Sequence, residues 1–150
     1  MGDTRSREDS IAALVRGFED TTLDKGEWTH ASHLTVALYY LRHHARDEAT
    51  RLMRDGIKRF NAAKGGDPSA YHETITLAWL EVVATFLAEH DPEPRVAELG
   101  ALVDALLREC KDKRYLLNYY SRDLLMSDAA RAQWVPPDLA PITCALRRGA

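Results

Sequence analysis

The chain has 150 residues, of which 45% are hydrophobic and 29% charged, and a formal net charge of −3. That length is about one ordinary domain, and it can bury roughly 70% of its unfolded surface without disulfide or metal staples. The composition excludes collagen-like, mucin-like and wholly disordered chains. The acidic balance argues against a generally basic nucleic-acid binder. Two cysteines, Cys110 and Cys144, are too few for a disulfide framework or a cysteine zinc finger.

In chain order, the opening stretch MGDTRSREDS is polar and lacks the apolar segment of a secretory signal. Gly2, Arg5 and Ser6 match the myristoylation pattern only superficially. No apolar run reaches 18 residues, so the cytoplasm is the expected location and a membrane is not an expected partner. The apolar spacing is helical nearly throughout, with no clean period-two run. Ile11, Leu14, Val15 and Phe18 form the first stripe, capped by Ser10 or begun slightly earlier. A loop over residues 21–28 follows, with Gly26 as a flexible point. Thr29 caps a second helix running to about His44, with Leu34, Ala37, Leu38 and Leu41 on its stripe. Asp47 is the expected cap of a third helix, whose face carries Leu52, Met53, Gly56, Ile57 and Phe60. Gly65 and Gly66 end it.

Asp67-Pro68 predicts the start of a fourth and longest helix, continuing to about His90 with Ile75, Trp79, Val82, Val83 and Phe86 on one stripe. Asp91-Pro92-Glu93-Pro94 breaks the chain. A fifth helix carries Val96, Leu99, Val103, Leu106, Leu107 and Cys110. Shorter helical pieces are expected over residues 112–120 and 127–134, before a tail made irregular by Pro136, Pro137 and Pro141; a structural reading of this region has Ser121 and Ser127 capping short helices and Arg122 pairing with Asp123 or Asp128. With no repeat, linker or boundary, the expectation is one all-α domain over 1–150. It is a bundle of about five main helices with a short helical, proline-rich C-terminal segment and irregular ends at 1–8 and 140–150.

Charge is uneven. Residues 42–66 hold seven Lys or Arg against three acids, and residues 67–110 hold two against nine. Complementary helix faces that pair on packing are the expected consequence. No basic groove motif supports a nucleic-acid partner.

The densest chemical signal is Glu27-Trp28-Thr29-His30-Ala31-Ser32-His33. His30 and His33, three apart at a helix start, share a face and can converge on one metal ion. His72, near the start of the fourth helix, is the third candidate ligand. Three histidines with an open position suit a catalytic zinc, and neutral imidazole also suits iron. The two sets meet if the second and fourth helices pack with their N-terminal ends together, helix three being the return arm. Glu73 is a candidate fourth ligand or general base, and Glu27 a weaker one. His43, His44 and His90 lie at helix C-termini, where bonds to the last carbonyls suffice to explain them. Cys110 reads as a core thiol.

The segment from Arg114 to Trp134 supplies Tyr115, Tyr119 and Tyr120, with Arg122 to hold a carboxylate or phosphate and Arg131 as its alternative. The expected function is therefore a small metal-dependent enzyme, hydrolytic or oxidative, acting on a small polar or anionic molecule. His30, His33 and His72 would hold a divalent zinc or iron, Glu73 and Tyr120 would be catalytic, and Arg122, Trp28, Trp79 and Tyr119 would bind substrate. One alternative is a metal-free small-molecule-binding module with an apolar pocket lined by Trp28, Trp79 and the tyrosines. Another is a metal-free lyase or isomerase using His72 and Glu73 for proton transfer. A homodimer through an apolar face of the second or fifth helix is left open.

The phrases EWTHASHL, AYHET and YYSRDLLMSDAARAQWVPPDL resemble an uncharacterised family of small bacterial all-helical proteins. The resemblance runs from Leu23 to Leu139, and it implies a single helical domain and carries no activity. In outline the three-histidine arrangement is also similar to the DinB-like metal-binding four-helix bundles. This chain has its H-x-x-H pair in an early helix and lacks their late H-x-x-x-H pair, so no residue role is carried over.

Overall fold

Apolar spacing and local caps set the helices of this protein, and in the computed structural model they account for most of residues 3–93 and 98–142, the residues the structure describes. Gly2, Val96 and Cys144 lie outside them. Helix α1 spans Asp3–Glu19, so the chain is helical almost from its start and Ser10 lies inside the helix rather than at its cap. A 3-10 turn, Lys25–Glu27, leads to α2, His30–His43. Thr29 opens α2 as expected: its Oγ1 accepts the Ser32 N–H at 3.2 Å, satisfying one of the orphan donors of the first turn. Helix α3, Arg46–Ala63, has Ala45 at its N-cap, not Asp47. Asp47 stands in the first turn, where its charge favours the helix dipole. Gly65 follows the end of α3 at φ +80°, the left-handed conformation that glycine adopts without steric cost.

The start of the fourth helix differs from the expectation. Asp67 Oδ1 accepts the Ser69 N–H at 2.9 Å and caps only a 3-10 turn, Pro68–Ala70. The backbone then extends through Tyr71 and His72, and α4 runs Glu73–His90 with His72 itself as N-cap. Helix α5 is Leu99–Cys110. The C-terminal segment holds a 3-10 turn, Lys113–Asn118, and two short helices, α6 (Arg122–Leu125) and α7 (Asp128–Ala132). Ser121 caps α6 and Ser127 caps α7, through Leu124 and Ala130 N–H groups at 3.3 and 3.1 Å. Ser121 and Ser127 thus cap short helices as expected, although spacing gives no range for α6, because a four-residue helix carries no periodic signal.

The architecture is all-α, with five long helices and a short helical C-terminal segment among the described residues. Helix α2 is central and packs against α1, α3, α4 and α5. Its buried residues, Leu34, Thr35, Val36, Ala37, Leu38 and Tyr40, therefore surround its axis instead of forming one stripe. Helices α2 and α4 are parallel. The His30 ring lies 4.7 Å from the Trp79 ring near one end, and twelve residues further along each helix Arg42 Nε meets Asp91 Oδ2 at 3.3 Å. Helix α3 is the antiparallel return arm: Arg46 reaches Glu81 at 2.5 Å and Arg54 reaches Glu73 at 2.6 Å. These three cross-helix pairs join the basic 42–66 stretch to the acidic 67–110 stretch. No helix among the described residues is long and apolar enough to cross a membrane.

Candidate ligand pocket

Parallel packing of α2 and α4 puts both N-terminal ends, and the histidines on them, at one end of the bundle. A cavity of about 930 Å³ opens there. Its volume is that of a site for a small organic molecule, roughly 300–1,000 Å³. His30, His33 and His72 all border it, as do Trp28, Trp79 and Arg122. Ile75 and Trp79 are only partly buried, because they face this cavity rather than the core. Tyr71, Lys113 and Arg114 also line it, although spacing did not single them out as site residues. Tyr71 carried a local signal, as the neighbour of His72. Lys113 and Arg114 carried none, since an exposed basic turn looks the same wherever it packs.

The imidazoles are held by backbone carbonyls, which fixes their tautomers. His30 donates from Nε2 to the Cys110 carbonyl at 3.1 Å, and His33 from Nδ1 to the Thr29 carbonyl at 2.9 Å. Each keeps one further ring nitrogen. His72 is engaged on both: Nε2 donates to the Leu125 carbonyl at 2.7 Å, and Nδ1 accepts the Ile75 N–H at 3.1 Å. Burial lowers all three histidines below the usual imidazole range, His33 to about 4, and for His72 the nearby Arg131 adds to the effect. All three are therefore neutral at pH 7.

A three-histidine metal centre needs a free lone pair on each ring. His72 offers none as folded, and no group of three His, Cys, Asp or Glu among the described residues is placed to hold a metal ion. Glu73 does not line the cavity. Its carboxylate takes a bidentate bond from Arg54, at 3.1 and 2.6 Å, and the Tyr71 hydroxyl at 2.6 Å. The Arg54 bond, followed by that of Tyr71, holds it below the ordinary carboxylate range. Glu27 is exposed and accepts the Asp24 N–H at 3.3 Å, closing its own turn.

The tyrosines expected at the site lie elsewhere. Tyr119 and Tyr120 are fully buried and do not border the cavity. Tyr120 donates to the Val135 carbonyl at 2.7 Å, and its hydroxyl is pushed up to about 12, chiefly by burial. Tyr119 donates to the Tyr115 hydroxyl at 2.9 Å. The Tyr120 hydroxyl ties the tail to the C-terminal segment, and that of Tyr119 closes a local contact within its own turn. Arg131 reaches the Ser69 and Ala70 carbonyls at 3.4 Å. Arg122, in contrast, is exposed at the cavity rim, and its guanidinium makes no ion pair or hydrogen bond with the described residues.

The aromatic wall is continuous with the core. Trp28 stacks on Phe18 at 4.3 Å and lies 3.9 Å from the His33 ring, and Trp79 stacks on Tyr115 at 5.9 Å. His43 and His90 bond carbonyls of their own last turns, Tyr39 at 2.8 Å and Phe86 at 3.0 Å, and His44 is the C-cap of α2, its backbone N–H on the Tyr40 carbonyl. Cys110 is buried and forms no disulfide among the described residues. No family model, curated protein or solved structure matches the chain.

Proposed function

We propose that this protein binds a small, largely apolar molecule in the cavity between the N-terminal ends of α2 and α4, without a resident metal. The observation that carries this is the convergence of Trp28, Trp79 and three neutral imidazoles on one cavity of about 930 Å³. Aromatic walls supply contact area, and a few fixed polar groups orient the ligand, which is the ordinary division of labour in small-molecule sites. His30 Nδ1 and His33 Nε2 are acceptors for a ligand donor. The test is calorimetric titration with a neutral aromatic probe, 2-naphthamide, on the wild type and on Thr76→Trp, which plugs the cavity from α4. One-to-one saturable binding that the plug removes supports the site. Binding that survives the plug overturns it, and so does a failure of 2-naphthamide and its charged analogues alike to bind.

The metal-dependent enzyme is the second reading, favoured by the same convergence of His30, His33 and His72. It requires His72 to release either Ile75 or Leu125. Stoichiometric zinc or iron in untagged protein, lost in His33→Ala and in His72→Ala, would establish it. Metal-free protein whose stability is unchanged by a chelator would remove it. The proton-transfer alternative has less support, since Glu73 is bound by Arg54 and Tyr71 and stands outside the cavity.

A further inference from the structure

Charge around the cavity is one-sided. Among the described residues, Lys113, Arg114 and Arg122 line it and no Asp or Glu does. Arg114 is neutralised locally, because its guanidinium holds Asp112 through Nη2 at 2.9 Å and Nε at 3.2 and 3.3 Å. Lys113 and Arg122 have no acid within ion-pair distance among the described residues. Two uncompensated cations thus border an apolar cavity, where low-dielectric walls strengthen their field.

The neutral imidazoles matter to the selection as well. Charged histidines would have made the cavity polar throughout. Uncharged, they leave positive charge concentrated at the rim, beside an aromatic interior of Trp28 and Trp79. A wholly apolar ligand would leave the two rim cations unanswered, and a small inorganic anion would leave the cavity unfilled.

From this arrangement we infer that the ligand is an amphipathic oxyanion, an apolar or aromatic body in the cavity carrying one carboxylate or phosphate held between Lys113 and Arg122. The inference rests on the pocket reading above and deepens it. Arg122 supplies a planar fork that fits an oxyanion bidentately, and Lys113 a point charge.

A matched set of probes tests it on the intact chain by calorimetry: 2-naphthoate, 2-naphthyl phosphate, 2-naphthamide and 2-naphthylmethylammonium. The expected result is that one or both oxyanions bind about tenfold or more tighter than the amide, and that the ammonium binds weakest. The better of the two oxyanions identifies the head group. The preference should shrink between ionic strengths of about 0.01 and 1 M. It should vanish in Lys113→Gln/Arg122→Gln while binding of the amide is kept, and persist in Arg108→Gln, an exposed cation of α5 away from the cavity. Equal affinity for amide and oxyanions, or a preference unaffected by the double substitution, overturns the inference and leaves the pocket standing. Failure of all four probes to bind overturns both.

Discussion

His72 donates from Nε2 to the Leu125 carbonyl at 2.7 Å, across 53 residues of chain. The same ring caps α4 by accepting the Ile75 N–H. One imidazole thus ends the extended segment before α4 and ties the C-terminal helices, including Arg122 and Leu125 at the cavity, to the bundle.

Removing this ring should cost both bonds. His72→Ala is expected to lose roughly 1–3 kcal/mol of stability, the sum of an N-cap and a buried hydrogen bond. His72→Asn keeps a good capping side chain and should recover about half of that loss. Urea denaturation of the three proteins checks this. If Asn and Ala are equally destabilised, the capping bond contributes nothing.

Acid should weaken the fold through the pocket histidines. Their folded pKa values lie below the ordinary 6.5, so the unfolded chain binds protons that the folded chain does not. Their contribution to stability is full above about pH 6.5 and declines as pH falls through the interval down to the folded values, about 4 for His33. A loss of roughly 1–3 kcal/mol between pH 7 and pH 4 is expected. His33→Gln should flatten that slope. Denaturation midpoints against pH, together with imidazole NMR titration, provide the measurement. A His33 that titrates near 6.5 would refute its burial.

Glu73 should behave as a structural anion. It links α4 to α3 through Arg54 and orients Tyr71. Glu73→Gln is expected to lower stability by about 0.5–1.5 kcal/mol, given its partial exposure, while leaving 2-naphthamide binding within about twofold. Loss of binding with unchanged stability would place Glu73 in the site itself.

Gly56 is required by the ring of Phe18. A Cβ at position 56 would sit 2.5 Å from Phe18 Cε2 and 2.6 Å from Cζ. Phe18 in turn stacks on Trp28, the cavity wall. Gly56→Ala gains helix propensity of about 1 kcal/mol but should still lose about 1–3 kcal/mol through overpacking. It should also shift tryptophan fluorescence and weaken probe binding. Unchanged emission with increased stability would show that the ring moves aside freely.

The helix pattern could be read from the chain because its causes are local. Thr29 caps α2 through a residue three positions on, and apolar residues repeat within each turn. The start of α4 could not, because Asp67-Pro68 is as good a start for a 3-10 turn as for an α-helix. In the structure His72 engages Ile75 and Leu125, and Glu73 is the first helical residue. The cavity residues divide the same way. Trp28, Trp79, the three histidines and Arg122 were singled out by type and position, and packing brings them together. Tyr119 and Tyr120 had equally suggestive chemistry, and packing turned their hydroxyls to Tyr115 and Val135 instead.

By itself, then, the sequence determined an all-α chain of five long helices, with histidines at the starts of α2 and α4 and complementary charge on its central segments. Helix periodicity, caps and charge runs act over a few residues, so the chain carries them openly. Tertiary structure decided what those histidines can do. Parallel packing of α2 and α4, set by burial around a central α2 and by pairs such as Arg42–Asp91, brings them to one cavity. Acceptors 53 and 80 residues away then take up His72 and His30. A ring nitrogen bonded to a distant carbonyl is no longer free for a metal. Which carbonyl lies within about 3 Å of it is a property of the packed helices, not of any local run of residues.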